Sequence, residues 1–375
     1  MHTNSNLIIK KVEAIPVALP LKKPMHMAGV VISHAYNLLV RIETINGFVG
    51  WGEAASAPTM TGDLLPGMIS AVRDHFSHLL VGEDALHYPI LMNRVNDEIY
   101  RNTGAKCAVE CALLDICGKF LNVPVFDLIG GPKRQIFQMM TLLGSGTCDQ
   151  DLKDALEKQK NGFKFFKIKL GVRPIQEDIL HTINLRKNLG ENSILCADAN
   201  MGLSNQDTIL YCSEVKEANL LFLEQPLRSN NPNGMAKVAR KISIPLCGDE
   251  SITCLEDLLN LSSIGAIEGA NLKIIKLGGV SSVINAALIC QSIGLSVNLA
   301  CKVAESSIAA ASLLHTGAVL PNLDWGISIT NHYLAEDIVT NPLLAEDGMI
   351  SISRTPGLGV DIDESQVKKF TILKI

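Results

Sequence analysis

None of the ten cysteines is paired at Cys-x-x-Cys spacing, and no run of basic residues interrupts the chain. The first absence removes any paired-thiol motif. Cys107, Cys111, Cys196 and Cys301 instead sit inside apolar runs, the usual setting of buried reduced thiols, so a cytoplasmic location is expected. The second absence, with a net charge of −5 and a pI of about 6.0, gives nucleic acid nothing to hold. Charge is sparse, at 19% against 47% hydrophobic residues, which excludes a disordered chain and leaves material for a large core. The opening MHTNSNLIIKK carries no apolar signal segment. One stretch, Leu277 to Cys301, has no charged side chain and is long enough to span a bilayer. Gly278-Gly279, Ser281-Ser282, Asn285, Gln291, Ser292, Gly294, Ser296 and Asn298 divide it into turn, helix, turn and buried strand, so no membrane span is expected.

What is present is a rhythm. From about residue 138, short apolar runs recur: FQMMTLLG, FKFFKIKLG, SILCADAN, LLFLEQP, IPLCGDES, ANLKIIK, SVNLACK and LDWGISI. Helix-like segments stand between them, such as DLKDALEKQKNG with Gly162 as a C-cap. Eight buried strands alternating with helices fit a parallel barrel, although open doubly wound sheets share the alternation. A β/α barrel takes roughly 250 residues, so 375 leave room for a second, smaller domain. KVEAIPVALPL and YNLLVRIETINGFVGWGE, with an Asn46-Gly47 turn, read as antiparallel strands followed by helices. The expected organisation is an α+β domain over 1–130, completed by 340–375, and a barrel over 131–339.

Charges end the barrel strands. In a β/α barrel the strand C-termini build the active site, and burying a charge there is costly unless something uses it. Lys169, Asp198, Glu224, Asp249 and Lys273 follow one another at steps of 29, 26, 25 and 24 residues, one β/α unit each. Neighbouring strands would therefore present them to a single cavity. Asp198, Glu224 and Asp249 offer only carboxylate oxygens, which suits Mg²⁺, or Mn²⁺, and not zinc or copper. An ion there would draw charge from a substrate carboxylate, acidify the adjacent C–H and stabilise an enediolate. Lys167 and Lys169, two apart on one strand, point the same way. Each should lower the other's pKa and make a usable base. Lys273, beyond the carboxylate strands, would face the substrate from the other side. Asn200 is read as supporting the ligands from outside the metal's own contacts. Lys276 reads as surface or loop.

In this order Lys-x-Lys, Asp-x-Asn, Glu-Gln-Pro, Asp-Glu-Ser and Asn-x-Lys resemble the muconate lactonizing enzyme subgroup of the enolase superfamily, for which a Lys or His base with Mg²⁺ is known. GWGEA at 50–54, the LLDICGK helix and LIGG at 128–131 resemble its capping domain. The resemblance implies a modified TIM barrel, (β/α)7β, with an α+β cap. It implies Lys169 as base on one face and Lys273 as acid or base on the other, with Lys167 assisting, and Glu250 as the acidic residue beside the third ligand, outside the metal's own contacts. Subgroup members include cycloisomerases, racemases or epimerases, dipeptide epimerases and dehydratases.

For substrate choice, Asp324-Trp325-Gly326 holds half of the Asp-x-Asp that dipeptide epimerases carry on the eighth strand, which counts against dipeptides. Trp325 is a candidate for stacking on a cationic ammonium, or else packs the cap onto the barrel. Glu305 in AESS is expected to face the pocket. His26 and Met27, with the loop around Thr59, are expected to close over the substrate. The reading is an Mg²⁺-dependent isomerase taking the α-proton of a small carboxylate, foremost a racemase or epimerase of an amino acid or N-substituted derivative. Its alternatives are a lactone-forming cycloisomerase, a syn-dehydratase and an inactive barrel scaffold. A homo-oligomer is expected.

Overall fold

The structure, a computed structural model, describes residues 7–27, 30–144 and 147–372, and omits the side chains of residues 26, 27 and 30. The chain opens with an antiparallel sheet of β1 (Ile9–Met27), β2 (Val30–Thr44) and β3 (Val49–Ala55). Helix Thr103–Leu121 lies on this sheet and is buried along most of its length. Their approach explains the glycines of GWGEA. A Cβ on Gly50 would stand 2.2 Å from the Ala112 carbonyl oxygen, and one on Gly52 1.9 Å from that of Ala108. Only glycine lets strand and helix backbones meet this closely. A short β4 (Ile136–Gln138) then leads into the barrel.

The barrel strands are β5 (Met140–Leu143), β6 (Phe165–Lys169), β7 (Ile194–Asp198), β8 (Leu223–Glu224), β9 (Leu246–Gly248), β10 (Gly269–Leu272), β11 (Ser296–Ala300) and β12 (Ile327–Ser328). They form one sheet in chain order, paired in parallel, and a bridge from Met139 to Ile327 brings its two edges together. Every expected apolar run became a strand. Each of the first seven is followed by an α-helix and the eighth only by the 3-10 turn Asn331–Tyr333, the (β/α)7β pattern. Inside the N-terminal half, Met140, Phe165, Cys196, Phe222, Cys247 and Trp325 pack together, so the lower barrel is filled and only the C-terminal mouth is open. Among the described residues no helix is long and apolar enough to cross a membrane; the charge-free stretch is helix Val280–Ile293 and β11.

After the barrel the chain returns to the N-terminal sheet. A last strand, β13 (Met349–Ser351), pairs with β4, Gly357 bridges Pro124, and Thr371 bridges Val17.

Candidate active site

The cavity at the strand C-termini is lined by Lys167, Lys169, Asp198, Glu224, Glu250 and Lys273, with Thr59 and Met60 of the N-terminal region on top. The register explains the grouping. Lys169 pairs with Asp198, and Asp198 with Glu224, across adjacent strands, so their side chains share a face. Asp249 follows directly on β9 and Lys273 directly on β10. In a ring of eight strands β6 and β10 are four apart. Lys169 and Lys273 therefore face each other across the mouth, with the carboxylates of β7, β8 and β9 along the arc between them.

Each carboxylate is turned onto a lysine. Lys167 Nζ donates to Glu224 Oε2 at 2.5 Å, Lys169 Nζ to Asp198 Oδ2 at 2.6 Å and Lys273 Nζ to Asp249 Oδ2 at 2.6 Å. Asn200 links two groups: its Oδ1 accepts from Lys169 Nζ at 2.6 Å and its Nδ2 donates to Glu250 Oε1 at 3.0 Å. Burial pushes Glu224 up, and the charge of Asp198 adds to this while Lys167 opposes it. Burial, then Asp249 and Asp198, push Glu250 up to about 7. Asp249 is held low: burial opposes its charge, but Lys273 and Lys276 outweigh that.

Three expectations are corrected by these surroundings. Lys167 is not lowered by its lysine neighbour; burial disfavours its charge, but Glu224, Cys196 and Asp198 outweigh burial and hold it above the usual lysine range. Lys276 is fully buried, not surface or loop. Its ammonium lies 2.6 Å from Asp249 Oδ1 and donates to the carbonyls of Asp249 and Asn271. Trp325 does not line the cavity. It stacks on Phe222, with ring centroids 4.6 Å apart, in the filled lower barrel, and a Cβ on Gly269 would meet it at 2.2 Å. Asp324 precedes β12 and is exposed. The carboxyl end of the eighth strand instead gives the cavity Ser328 and Thr330.

Glu305 is buried beneath the wall, its Oε2 accepting from the Lys302 backbone N–H at 2.9 Å, and it does not line the main cavity. His26 and Met27 pair through their backbones with Val31 and Val30, but their side chains lie outside the described residues. Met60 does reach the site, its sulfur 3.7 Å from Lys273 Nζ. Given no role at sequence level were Asn271, the first residue of the Asn-x-Lys motif, which donates to Glu224 Oε1 at 2.7 Å, and Lys302 in the wall. Alternation would have found Asn271, two residues before Lys273.

As the side chains stand, no three His, Cys, Asp or Glu among the described residues are gathered closely enough to hold a metal ion, because the three carboxylates point at lysines. The donor set nevertheless fits a hard cation: Asp198 and Glu224 line the cavity, Asp249 lies buried at the end of the next strand, and the three crowd one another's charge. Buried Glu250 Oε2 also lacks a hydrogen-bond partner.

Residues 9–130 match the mandelate racemase / muconate lactonizing enzyme N-terminal domain, and residues 151–366 match the enolase C-terminal domain-like family. Muconate cycloisomerase 1 of Pseudomonas putida is 31% identical over 374 residues, covering 98% of this chain and 99% of that protein. An L-Ala-D/L-Glu epimerase of Clostridium acetobutylicum is 27% identical, covering 95% and 99%. The crystal structure of muconate lactonizing enzyme from Pseudomonas fluorescens complexed with muconolactone superposes with a TM-score of 0.93 at 28% identity, covering 98% of this chain and 100% of that one.

Proposed function

The chain belongs to the mandelate racemase / muconate lactonizing enzyme family and is an isomerase of the enolase superfamily; from that premise we propose that it racemises or epimerises a carboxylate substrate at the α-carbon, most readily an amino acid or N-substituted derivative. The observation that carries this is the placement of Lys169 and Lys273 on diametrically opposed strands of one cavity. Inverting a stereocentre needs a proton taken from one face and returned to the other. A single base, or two on one face, would return it where it came from.

Asp198, Glu224 and Asp249 would hold the family's divalent ion, proposed as Mg²⁺. Bound there, it supplies a Lewis acid to the substrate carboxylate. The lysines do the proton work. Whichever of Lys169 and Lys273 faces the α-hydrogen must hold a neutral amine and accept that proton. The opposite lysine must hold an ammonium and deliver one. Asn200 fixes Lys169 from the side, and Lys276 holds Asp249 in place. Lys167, kept charged by Glu224, faces the region where the substrate's carboxylate charge grows. Thr59 and Met60 close the mouth over Lys273 and exclude water.

The test is α-proton exchange in D₂O, followed by mass and chiral chromatography over a panel of amino-acid derivatives. Lys273→Ala should stop inversion in both directions, yet leave deuterium wash-in for the one enantiomer that Lys169 faces. Lys169→Ala should give the mirror result. Each loss should be about 10²–10⁴ in rate. A parent enzyme that exchanges no α-proton with any derivative would overturn the racemase reading. The second reading, a lactone-forming cycloisomerase, is favoured by the 31% identity to muconate cycloisomerase 1 of Pseudomonas putida. It needs a proton delivered on one face only, so neither lysine variant would show enantiomer-selective exchange.

A further inference from the structure

The carboxylates occupy β7, β8 and β9, and the lysines proposed for proton transfer occupy β6 and β10. A substrate held by its carboxylate against that arc has one direction left for the rest of its body, toward β11, β12 and β5. That wall carries Ala300, Lys302, Ser328, Thr330 and Leu142. Among the described residues it presents no carboxylate to the cavity, and its one cation is Lys302.

Lys302 differs from every other lysine lining or gripping the site. Lys167, Lys169, Lys273 and Lys276 each contact a carboxylate. Among the described residues, the Lys302 ammonium has no hydrogen bond and no ion pair, although the residue is partly buried. Glu305, whose charge acts on the ammonium, is hydrogen-bonded to the Lys302 backbone N–H and not to the ammonium itself. The backbone is pinned a second time, by Thr330 Oγ1 donating to the Lys302 carbonyl at 2.6 Å. The result is a cation whose stem is fixed and whose head is unmatched, in the wall facing the substrate's distal end. An unmatched ammonium in such a setting costs stability and persists where a ligand supplies the missing charge.

We propose that Lys302 is a specificity-determining residue that binds a second anionic group of the substrate, so that this isomerase acts on dianions: a carboxylate held on the β7–β9 side and a carboxylate or similar oxyanion at the far end. The inference rests on the proposed function for the first carboxylate's position. It sharpens the substrate class within that reading, to amino-acid derivatives with an anionic side chain or an anionic N-substituent. It argues against a cationic distal group, which would meet an ammonium and find no acidic partner.

The test compares adipate with its monoamide, adipamic acid, which has the same length and shape and one charge fewer. Binding is followed by calorimetry on the Mg²⁺-loaded full-length protein at low salt. The parent should bind adipate about ten to a hundred times more tightly, as a charge-assisted hydrogen bond would give. Lys302→Met should erase that preference while leaving adipamic acid unchanged. Thermal melting without ligand gives a second readout. Removing an unpaired partly buried charge should leave Tm equal or raise it, whereas a structural lysine would lower it on replacement. A parent that does not distinguish the two acids, non-binding of both included, overturns the proposal. So does Lys302→Met weakening both acids equally, or lowering Tm. Repeating the titration after chelation tells the two readings apart: metal-independent binding of adipamic acid would count against the metal-anchored first carboxylate, while the preference at Lys302 is read from the ratio alone.

Discussion

Asp198, Glu224 and Asp249 each meet a lysine ammonium at 2.5–2.6 Å, whereas Glu53, equally buried, meets no cation among the described residues. Glu53 stands on β3 and reaches the start of barrel helix Ser307–Val319. Its oxygens accept from Ser306 N at 2.9 Å, Ser306 Oγ at 2.5 Å and Ala309 N at 3.2 Å, and from Asn37 Nδ2 at 2.7 Å. The first group is balanced by mobile full charges facing an open cavity. The second is balanced by fixed donors at a helix N-terminus, where the macrodipole favours an anion. Flexible lysines can give up a carboxylate to another cation; backbone N–H groups cannot leave. The same residue type thus serves exchange at the mouth and permanent attachment at the seam between the N-terminal sheet and the barrel.

The largest difference between the two groups should appear with a divalent ion. Mg²⁺ at a hundred times its dissociation constant should stabilise the parent by about 2.7 kcal/mol, read as a rise in Tm. Asp198→Asn should lose most of that rise and about 10²–10³ in rate. Glu53→Ala should keep the rise in full. Equal ion-induced shifts in the parent and in Asp198→Asn would show that the carboxylates of β7–β9 are not the exchangeable group.

A smaller effect should separate them in the absence of any ion. Glu53→Ala leaves the Ser306 N–H and hydroxyl and the Ala309 N–H buried without that acceptor, while Asn37 keeps its bond to the Ala304 carbonyl, at about 1–3 kcal/mol for each unsatisfied group. Partial relaxation should bring the total to roughly 2–4 kcal/mol, measured by urea unfolding. The ratio of rates for any two substrates should stay the same, since Glu53 does not line the cavity. A shifted substrate preference at unchanged stability would place Glu53 in the site and not at the seam.

Much of this was legible because barrel strands are buried on both faces and read as unbroken apolar runs, so a charge at the end of one stands out. Asp198, Glu224, Asp249 and Lys273 were found that way, as was the strand order. What was misread turns on which end of a strand a residue occupies. Trp325 and Asp324 lie before β12, not after it, and a two-residue strand such as Ile327–Ser328 gives too little pattern to say so. Lys276 lies one helical turn past Lys273, in helix Ile274–Leu277, which the apolar run ANLKIIK disguised as strand. Lys302 and Glu305 exchanged roles because the chain turns sharply beyond β11, with Ala304 at φ 64°. Ser306 and Ala309, the helix-end partners of Glu53, lie some 250 residues away, beyond the reach of any local pattern.

The smallest effect expected from the comparison is a pH dependence at the seam. Burial, and then the charge of Glu305, push Glu53 up to about 7 from an ordinary 4.5, although its bonds from Ser306 and Asn37 pull the other way. Glu305 is itself raised by burial, with Lys302 opposing. A carboxyl whose pKa is higher folded than unfolded binds more protons in the native state between those two values. Its contribution to stability is therefore complete below about pH 4.5 and is lost as the pH rises through about 7. At 1.36 kcal/mol per unit the loss is at most about 3 kcal/mol for Glu53. The nearby thiols are pushed upward, Cys107 by its bond with Cys111 and then by burial, Cys301 by burial, and titrate outside that window. Glu53→Gln cannot ionise, so its unfolding free energy should fall less steeply between pH 5 and about 7.5, with the remaining slope belonging to Glu305. Parallel curves for the parent and Glu53→Gln would mean that Glu53 is ionised throughout, and that the helix N-terminus alone is enough to hold its charge against burial.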